Sequence, residues 1–408
     1  MQDKSPMTHL ENICEIIMGQ SPKGETYNTI GNGTPLLNGP TEFGEHHPKP
    51  VLYTTSPTRL CKKGDLLFCV RGSTTGRMNW ADAEYCIGRG VGAFRAKSDE
   101  IDTRFIYYTL VCELPRLLSR CAGSVFPNLS RSDFETFDVV WPDRNIRSAI
   151  AHILGALDDK IELNRRMNEM LEAMARAIFK SWFVDFEPIP GFGPHKEWQD
   201  SPIGRIPKGW DIATLGDFSS LNPEVWSKET RPDVINYVDL SNTKWGRIET
   251  VTIYAKGEAP SRAQRVLRAQ DTIVGTVRPG NGSYAFILEE GLTGSTGFAV
   301  LRPLKAEYAE IVYLTATAAD NIERLAHLAD GAAYPAVRPD VVVATQIVKP
   351  VDKVLRAFSH IVAPLLAKMF VNERESRTLG AIRDALLPKL LLGEIRVKNG
   401  EKFIVERT

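Results

Sequence analysis

The chain has 408 residues, 43% of them hydrophobic and 25% charged, with 50 Lys plus Arg against 50 Asp plus Glu and a formal net charge of zero. That composition points away from disorder and toward an ordinary globular protein with room for two or three domains. The neutral balance argues against a large non-specific nucleic-acid affinity carried by bulk charge, and leaves room for a local basic face.

The N-terminal segment, MQDKSPMTHLENICEI, lacks the apolar core of a signal peptide, and no apolar run approaches the length needed to cross a bilayer. All six cysteines lie in the first 121 residues, at positions 14, 61, 69, 86, 112 and 121, with no CxxC pair. This spacing suits neither zinc nor a disulfide framework, so they read as reduced, buried small residues. A cytoplasmic protein without a membrane partner is expected.

Residues 1–145 read as a mixed domain of short strands and a few helices, punctuated by turns such as Ile30-Gly31-Asn32-Gly33 and Leu37-Asn38-Gly39-Pro40. The clearest strand, Asp65 to Val70, runs into the small, polar, basic loop Arg71-Gly72-Ser73-Thr74-Thr75-Gly76-Arg77. Gly88-Arg89-Gly90-Val91-Gly92 looks superficially like a phosphate loop, but it precedes a strand (Val91 to Arg95) instead of opening a helix. Phe105 to Leu118 has helical character. Then come a turn from Ala122 through Phe126, Pro127 and Asn128 to Ser130, and a strand from Phe137 to Trp141.

From Ile146 to Phe183 the chain has no Pro and no Gly after Gly155, and it reads as one long helix within a segment 146–186. Ile150, Leu157, Asn164, Leu171 and Ile178 recur every seven residues, with Ile153, Met167 and Met174 on a second seam three residues later. Such a stripe needs a partner helix. It comes in segment 351–395, where Phe358, Leu365, Asn372, Leu379 and Leu386 repeat the first seam and Ile361 and Ile382 the second. Polar Asn164 and Asn372 at seam positions are read as fixing register, facing each other or sitting symmetrically in an antiparallel pair.

Between the helices, segment 187–350 holds a Pro- and Gly-rich linker, from about Asp185 to Gly209, and a second mixed domain starting at Trp210. The strand Gln270 to Val277 answers the earlier one, and Arg278-Pro279-Gly280-Asn281-Gly282-Ser283-Tyr284 answers its basic loop. A tail, 396–408, follows. His152 and His360, Asn164 and Asn372, and Leu171 and Leu379 are each 208 residues apart, so the chain is a duplicated unit. The fold class is therefore α+β: two mixed domains held apart by two long antiparallel helices, a coiled-coil spacer with a pseudo-twofold internal repeat. Each helix would span roughly 57 Å.

Catalytic constellations are missing: there is no Walker A loop, no HExxH, no GxSxG and no Asn-Pro-Pro motif. Adjacent His46 and His47 point in different directions in most backbones and read as a turn with two exposed imidazoles. Asp158-Asp159-Lys160 lies within the heptad helix and reads as a solvated face. Recognition chemistry is present instead. Reading a duplex needs Arg for guanine and Asn or Gln for adenine, plus small donors and backbone amides for phosphates. The two basic loops offer these types at the end of a strand. The DNA-contact candidates are Arg71, Ser73, Thr74, Thr75, Arg77, Arg89 and Asn128 in the first domain, and Arg278, Asn281, Ser283 and Tyr284 in the second. The competing reading of each loop is a Gly-rich hairpin with no ligand.

The segment Ile153-Leu154-Gly155-Ala156-Leu157-Asp158-Asp159-Lys160-Ile161-Glu162-Leu163-Asn164, continuing through Ala177-Ile178-Phe179-Lys180-Ser181-Trp182-Phe183-Val184-Asp185-Phe186, resembles the central conserved region of the DNA-specificity subunits of type I restriction-modification systems. Pro207-Lys208-Gly209-Trp210 with Leu215-Gly216-Asp217 resembles the start of their second target-recognition domain, and Leu390-Leu391-Leu392-Gly393-Glu394-Ile395 their C-terminal end. The likeness covers essentially the whole chain, although Ala332 and Ala336 stand where the first domain has Ser124 and Asn128.

The resemblance implies a non-catalytic subunit whose two domains each read half of a bipartite, asymmetric site on double-stranded DNA. The helices, through Leu157, Asn164, Leu171, Ile178, Trp182, Leu365, Asn372, Leu379 and Leu386, would set the unread gap and dock two adenine-N6 methyltransferase subunits. Restriction/translocase subunits would join them. No cofactor is expected in this chain: S-adenosylmethionine, ATP and Mg would belong to the partners. Two alternatives stand beside this reading. One is a coiled-coil scaffold with two protein-binding heads, the other a self-contained nuclease or methyltransferase.

Overall fold

The computed structural model describes residues 6–44, 46–121, 127–227, 229–331 and 334–395. They form two compact units, Met1–Asn164 with Arg374–Thr408, and Arg165–Glu373. Gly123, Ser124, Phe126, Ala332 and the 396–408 tail lie outside the described residues.

In the first unit, Leu66–Cys69 is buried at every position. Strand alternation sends Leu66 and Phe68 into one apolar cluster and Leu67 and Cys69 into another. The strand is thus covered on both faces. It belongs to an antiparallel sheet ordered Cys14–Met18, Val91–Ala96, Leu66–Cys69, Met78–Trp80. The second sheet is ordered Tyr27–Asn28, Leu52–Thr54, Thr34–Leu37, Tyr85–Ile87, Leu60–Cys61, with a parallel pairing of Thr34–Leu37 and Tyr85–Ile87. Met7–His9 pairs with Asp138–Val140 and closes the domain. Cys14, Cys61, Cys69 and Cys86 are buried, Cys112 and Cys121 half-buried, and all six are free thiols.

The second unit repeats this plan. Its antiparallel sheet runs Ser219–Leu221, Phe298–Pro303, Thr272–Gly275, Tyr284–Phe286. The other runs Thr252–Ala255, Val234–Val238, Leu292–Ser295, Ala263–Val266, with its parallel pairing at the equivalent place. Asp211–Thr214 and Gln346–Lys349 close the unit. Two additions set it apart. A short hairpin, Thr243–Lys244 with Arg247–Ile248, is added. The Pro- and Gly-rich stretch read as a linker also contains a hairpin, Trp198–Ser201 with Gly204–Pro207, whose turn uses Gly204 at φ +108°.

One ion pair recurs in both units. Fully buried Asp65 receives Arg95 through two hydrogen bonds of 2.6 and 2.7 Å and the Lys62 N–H at 2.8 Å. Asp271, equally buried, receives Arg302 at 2.8 and 2.9 Å and the Arg268 N–H at 2.8 Å. The carboxylate closes the turn that enters the central strand while the arginine reaches it from the next strand. The hydrogen bond and charge of Asp65 hold the Arg95 guanidinium above its ordinary pKa, against the opposing effect of burial.

The long helices span Arg144–Phe183 and Asp352–Leu391. In the first unit Ile150, Ala151 and Leu154 share a buried cluster with Leu387 and Leu390, and Arg383 donates to Asp158 at 2.6 Å, so the two segments run antiparallel. Asp158 also accepts from the Tyr108 hydroxyl at 2.6 Å, so it joins helices instead of lying on a solvated face. In the second unit Phe358 packs on Trp182 and Phe183, with ring centroids 5.8 and 4.8 Å apart, while the Asn168 amide donates to Met369 O. These segments too are antiparallel.

The second seam differs from the expectation. Buried positions follow the first seam by four residues, at Leu154, Asn168, Ala175 and Trp182, whereas Met174, Ile361 and Ile382 are 52%, 39% and 43% exposed. At about 100° per residue, steps of three and four lie on opposite sides of the seam. Hydropathy favoured the wrong side because the true seam carries Asn168, Ala175 and Ser376. The expectation that no segment is apolar enough for a membrane also fails for Asp352–Leu391. Val354, Leu355, Phe358, Val362 and Leu366 of that helix pack in the second unit's core.

Asn164 and Asn372 are fully buried. Asn164 donates to Glu375 at 2.8 Å and Ser376 at 3.3 Å and accepts from Lys160 at 3.0 Å; Asn372 donates to Asn168 at 2.8 Å. Ser376 and Asn168 are themselves 208 residues apart.

Two outcomes follow from the buried ion pairs. Asp65→Asn should destabilise the first unit by about 1 to 3 kcal/mol, because it removes the buried charge that accepts from Arg95 and the Lys62 N–H, while Glu15 at 3.1 Å remains as the arginine's other carboxylate. Hydrogen exchange should speed up first in Leu66–Cys69 and Val91–Ala96; unchanged protection there would contradict the role given to the pair. Asp102 is the second case. Burial alone would raise its pKa, but two hydrogen bonds from Arg147, 2.8 and 2.9 Å, and one from Ser98 outweigh that and hold it below its ordinary 3.8. A depressed carboxylate contributes stability at neutral pH and loses it as pH falls through the folded value. The stability gap between wild type and Asp102→Asn should therefore be wide at pH 7 and shrink as pH falls below 3.8. Urea unfolding at several pH values checks this, and a gap independent of pH would refute it.

Candidate nucleic-acid interface

The basic loop of the first unit is closed by Cys69 N–H donating to Arg77 O at 2.8 Å and Gly76 N–H to Cys69 O at 2.9 Å. Gly76 has φ +99°, and a Cβ there would lie 2.9 Å from Leu114, so only glycine fits. A second segment runs alongside. Leu129 N–H donates to Val70 O at 2.9 Å and Gly72 N–H to Pro127 O at 3.1 Å. This pairing puts exposed Arg71 beside exposed Asn128, with Arg71 Nε donating to Asn128 Oδ1 at 3.2 Å.

Arg89 lies close by. Val70 N–H donates to Gly90 O at 3.0 Å, and the Arg89 N–H to Ser21 Oγ at 3.2 Å, leaving the Arg89 side chain exposed. Gly88 and Gly90 abut Asn38, and a Cβ on either would come within 2.5 Å of it. The structure therefore brings Arg71, Arg89 and Asn128 together, with exposed Ser73 and Thr74 at the loop tip. It adds exposed Gln20 and half-buried Ser21 and Asn38, which the sequence reading passed over. Their signal was a donor residue next to a glycine in Gly19-Gln20-Ser21 and Asn38-Gly39. Such a set supplies bidentate partners for guanine and adenine edges.

Two first-unit candidates have other duties. The Arg77 guanidinium donates to the carbonyls of Pro40, Phe43 and Gly44 at 3.1, 2.8 and 3.1 Å, so it fastens a neighbouring turn. Thr75 Oγ1 donates to Gly72 O and Pro127 O. Its hydroxyl holds the loop closed.

The second unit builds the same platform. Val337 N–H donates to Thr276 O at 2.9 Å and Arg278 N–H to Pro335 O at 2.7 Å, matching the two bonds above. Arg278 is exposed, in left-handed backbone at φ +48°, and its guanidinium lies 5.0 Å from the Tyr334 ring centroid. Asn281 is exposed on the turn Pro279–Asn281. Ala336 occupies the place of Asn128.

Ser283 and Tyr284 are corrected: they are 7% and 4% exposed and belong to the frame. Ser283 Oγ donates to Leu240 O at 3.0 Å, and the Tyr284 hydroxyl accepts from Arg176 at 3.4 Å. The loop ends at Gly282, after which the chain re-enters the sheet. Burial raises the Tyr284 pKa, so the phenol stays neutral.

The seam candidates face into the helix pairs. Asn164, Trp182 and Asn372 are buried, and Leu157, Leu171, Ile178, Leu365, Leu379 and Leu386 half-buried. Among the described residues no cluster of His, Cys, Asp or Glu is arranged to hold a metal.

Residues 3–173 match the family described as the type I restriction modification DNA specificity domain. Along most of its length the chain is similar to specificity subunits of type I restriction enzymes. A putative type I restriction enzyme MjaX specificity subunit of Methanocaldococcus jannaschii is 36% identical over 168 residues, which cover 41% of this chain and 39% of that one. The type I restriction enzyme HindI specificity subunit of Haemophilus influenzae is 23% identical over 402 residues, 82% of this chain and 87% of that one. The type I restriction-modification S subunit from M. genitalium has a crystal structure of the same fold. It aligns at TM-score 0.61 and 18% identity over 96% of this chain and 97% of that one.

The two arginines of the first loop should separate in their effects. Arg71→Ala should weaken binding to a cognate half-site by about 1 to 3 kcal/mol and relax discrimination at one base pair. Arg77→Ala should lower the melting temperature of the unit through its three lost carbonyl contacts. Competition binding and thermal melts on both variants check the split; equal loss across all DNA sequences for Arg71→Ala would make it a phosphate contact.

Proposed function

We propose that this chain is a DNA-specificity subunit that reads a bipartite, asymmetric site on double-stranded DNA, one half through each unit, with the helices setting the length of the unread gap. The observation that carries the reading is the platform built twice from equivalent backbone hydrogen bonds and furnished differently. The first unit presents Arg71, Arg89 and Asn128; the second presents Arg278, Asn281 and Tyr334. One frame with unlike donors is what two unlike half-sites require.

Two adenine-N6 methyltransferase subunits would dock on the helices, and restriction/translocase subunits would join the complex. S-adenosylmethionine, ATP and Mg would be held by those partners. The seam side chains pack between helices, so the docking contacts would come from exposed apolar residues: Leu163, Met170 and Met174 on the first helix, Val371 and Ile382 on the second. Packing on the seam and contact with a partner are thus divided between faces.

The test is a genome-wide map of N6-methyladenine in cells carrying the cognate methyltransferase, with and without this chain. A bipartite methylated motif that appears only with the chain is the expected result. If the methyltransferase binds the chain and no motif appears, the scaffold reading takes its place.

A further inference from the structure

The turn Arg278–Gly282 is bracketed by two exposed aromatic side chains. At its first residue, the hydrogen bond to Pro335 O brings Tyr334, 73% exposed, against the Arg278 guanidinium. At its last residue, Gly282 O accepts from the Trp245 N–H at 2.7 Å. The indole lies so close that a Cβ on Gly282 would come within 2.6 Å of it, yet Trp245 remains 57% exposed.

Trp245 sits at the tip of the hairpin that the second unit adds to the common plan, between Lys244 and Arg247. Its position is fixed from below. Gly246 N–H donates to Tyr284 O at 3.0 Å, the Tyr284 ring meets the indole edge-on at 6.0 Å, and Gly246, at φ +86°, sits where a Cβ would lie 3.0 Å from the Tyr313 hydroxyl. Both Trp245 and Arg278 hold left-handed backbone, at φ +47° and +48°, which bulky residues rarely adopt. Strained non-glycine backbone of this kind is kept where the surroundings over-determine it, and it concentrates at ligand sites. Core packing does not explain an indole that is more than half exposed.

On the reading that the second unit binds DNA, we propose that Trp245 and Tyr334 are specificity-determining residues for its half-site. Trp245 presses against a base step and unstacks it, and Tyr334 keeps the Arg278 guanidinium flat beside the same groove. Aromatic and apolar wedges open base steps in this way, and the cost is lowest at flexible pyrimidine–purine steps. The flanking Lys244, Arg247 and Arg278 supply the cationic surround that phosphates favour. The second half-site is therefore expected to contain or adjoin a TA or CA/TG step, selected by deformability and not by hydrogen bonds to it.

The experiment uses the full chain in complex with its methyltransferase, on duplexes carrying 2-aminopurine at successive steps of the second half-site. Wild type is expected to raise the fluorescence at one step. Trp245→Ala should abolish that rise and weaken binding about tenfold, the scale of one lost aromatic–base contact. Trp245→Phe should retain part of both, and changes in the first half-site should be discriminated as before. Melting curves for each variant confirm that the unit is folded. Unchanged fluorescence and binding in a folded Trp245→Ala overturn the proposal. So does a loss of methyltransferase binding without DNA, which would make the indole a protein contact. Failure of the DNA reading itself would look different: the wild-type complex would then methylate no bipartite motif at all.

Discussion

Two buried carboxamides govern the register on which the long helices depend. An amide with no water and no partner costs about 1 to 3 kcal/mol, so Asn164 and Asn372 tolerate only the alignments that supply theirs. Asn164 finds Glu375 and Ser376, and Asn372 finds Asn168. These contacts exchange under the same offset of 208 residues that relates the two halves of the sequence. A slip of either helix by one residue would break both sets, whereas a seam of Leu alone would leave several alignments close in energy.

The globular parts show the same division between what is kept and what is free to change. Asp65 with Arg95, and Asp271 with Arg302, close equivalent turns that lead into equivalent strands. Those strands end in loops held by equivalent backbone hydrogen bonds. Apart from Arg77 and Thr75, which brace the first loop, the exposed loop side chains take no part in these contacts and can vary at little cost to the frame. That is how one fold can be furnished for different sequences, and why Arg71 with Asn128 in one unit faces no like pair at Val277 and Ala336 in the other.

The long helices and the Leu66–Cys69 strand were legible in the sequence because each leaves a run or a periodic trace of apolar residues. The second helix seam was not, because Asn168, Ala175 and Ser376 are small or polar while Met174 and Ile382 advertise the wrong face. Arg77 and Arg71 are alike in sequence; only the positions of three carbonyls show that Arg77 braces the fold. Ser283 and Tyr284 were misjudged for a similar reason, since the point at which a loop re-enters its sheet is set by tertiary pairing. Gln20, Asn38 and Trp245 come from turns distant in sequence from the loops they join, and no local pattern links them.

The central claim is that the helices measure the distance between two reading units, and it can be tested by lengthening them. Seven residues inserted at matched points of both helices preserve the phase of the seam and add about 10 Å, equivalent to roughly three base pairs of DNA. The expected result, read as a methylation motif, is two unchanged half-sites separated by a gap about three base pairs longer. Methylation of the original motif with its original gap would contradict the claim, because the spacing would then be set elsewhere in the complex.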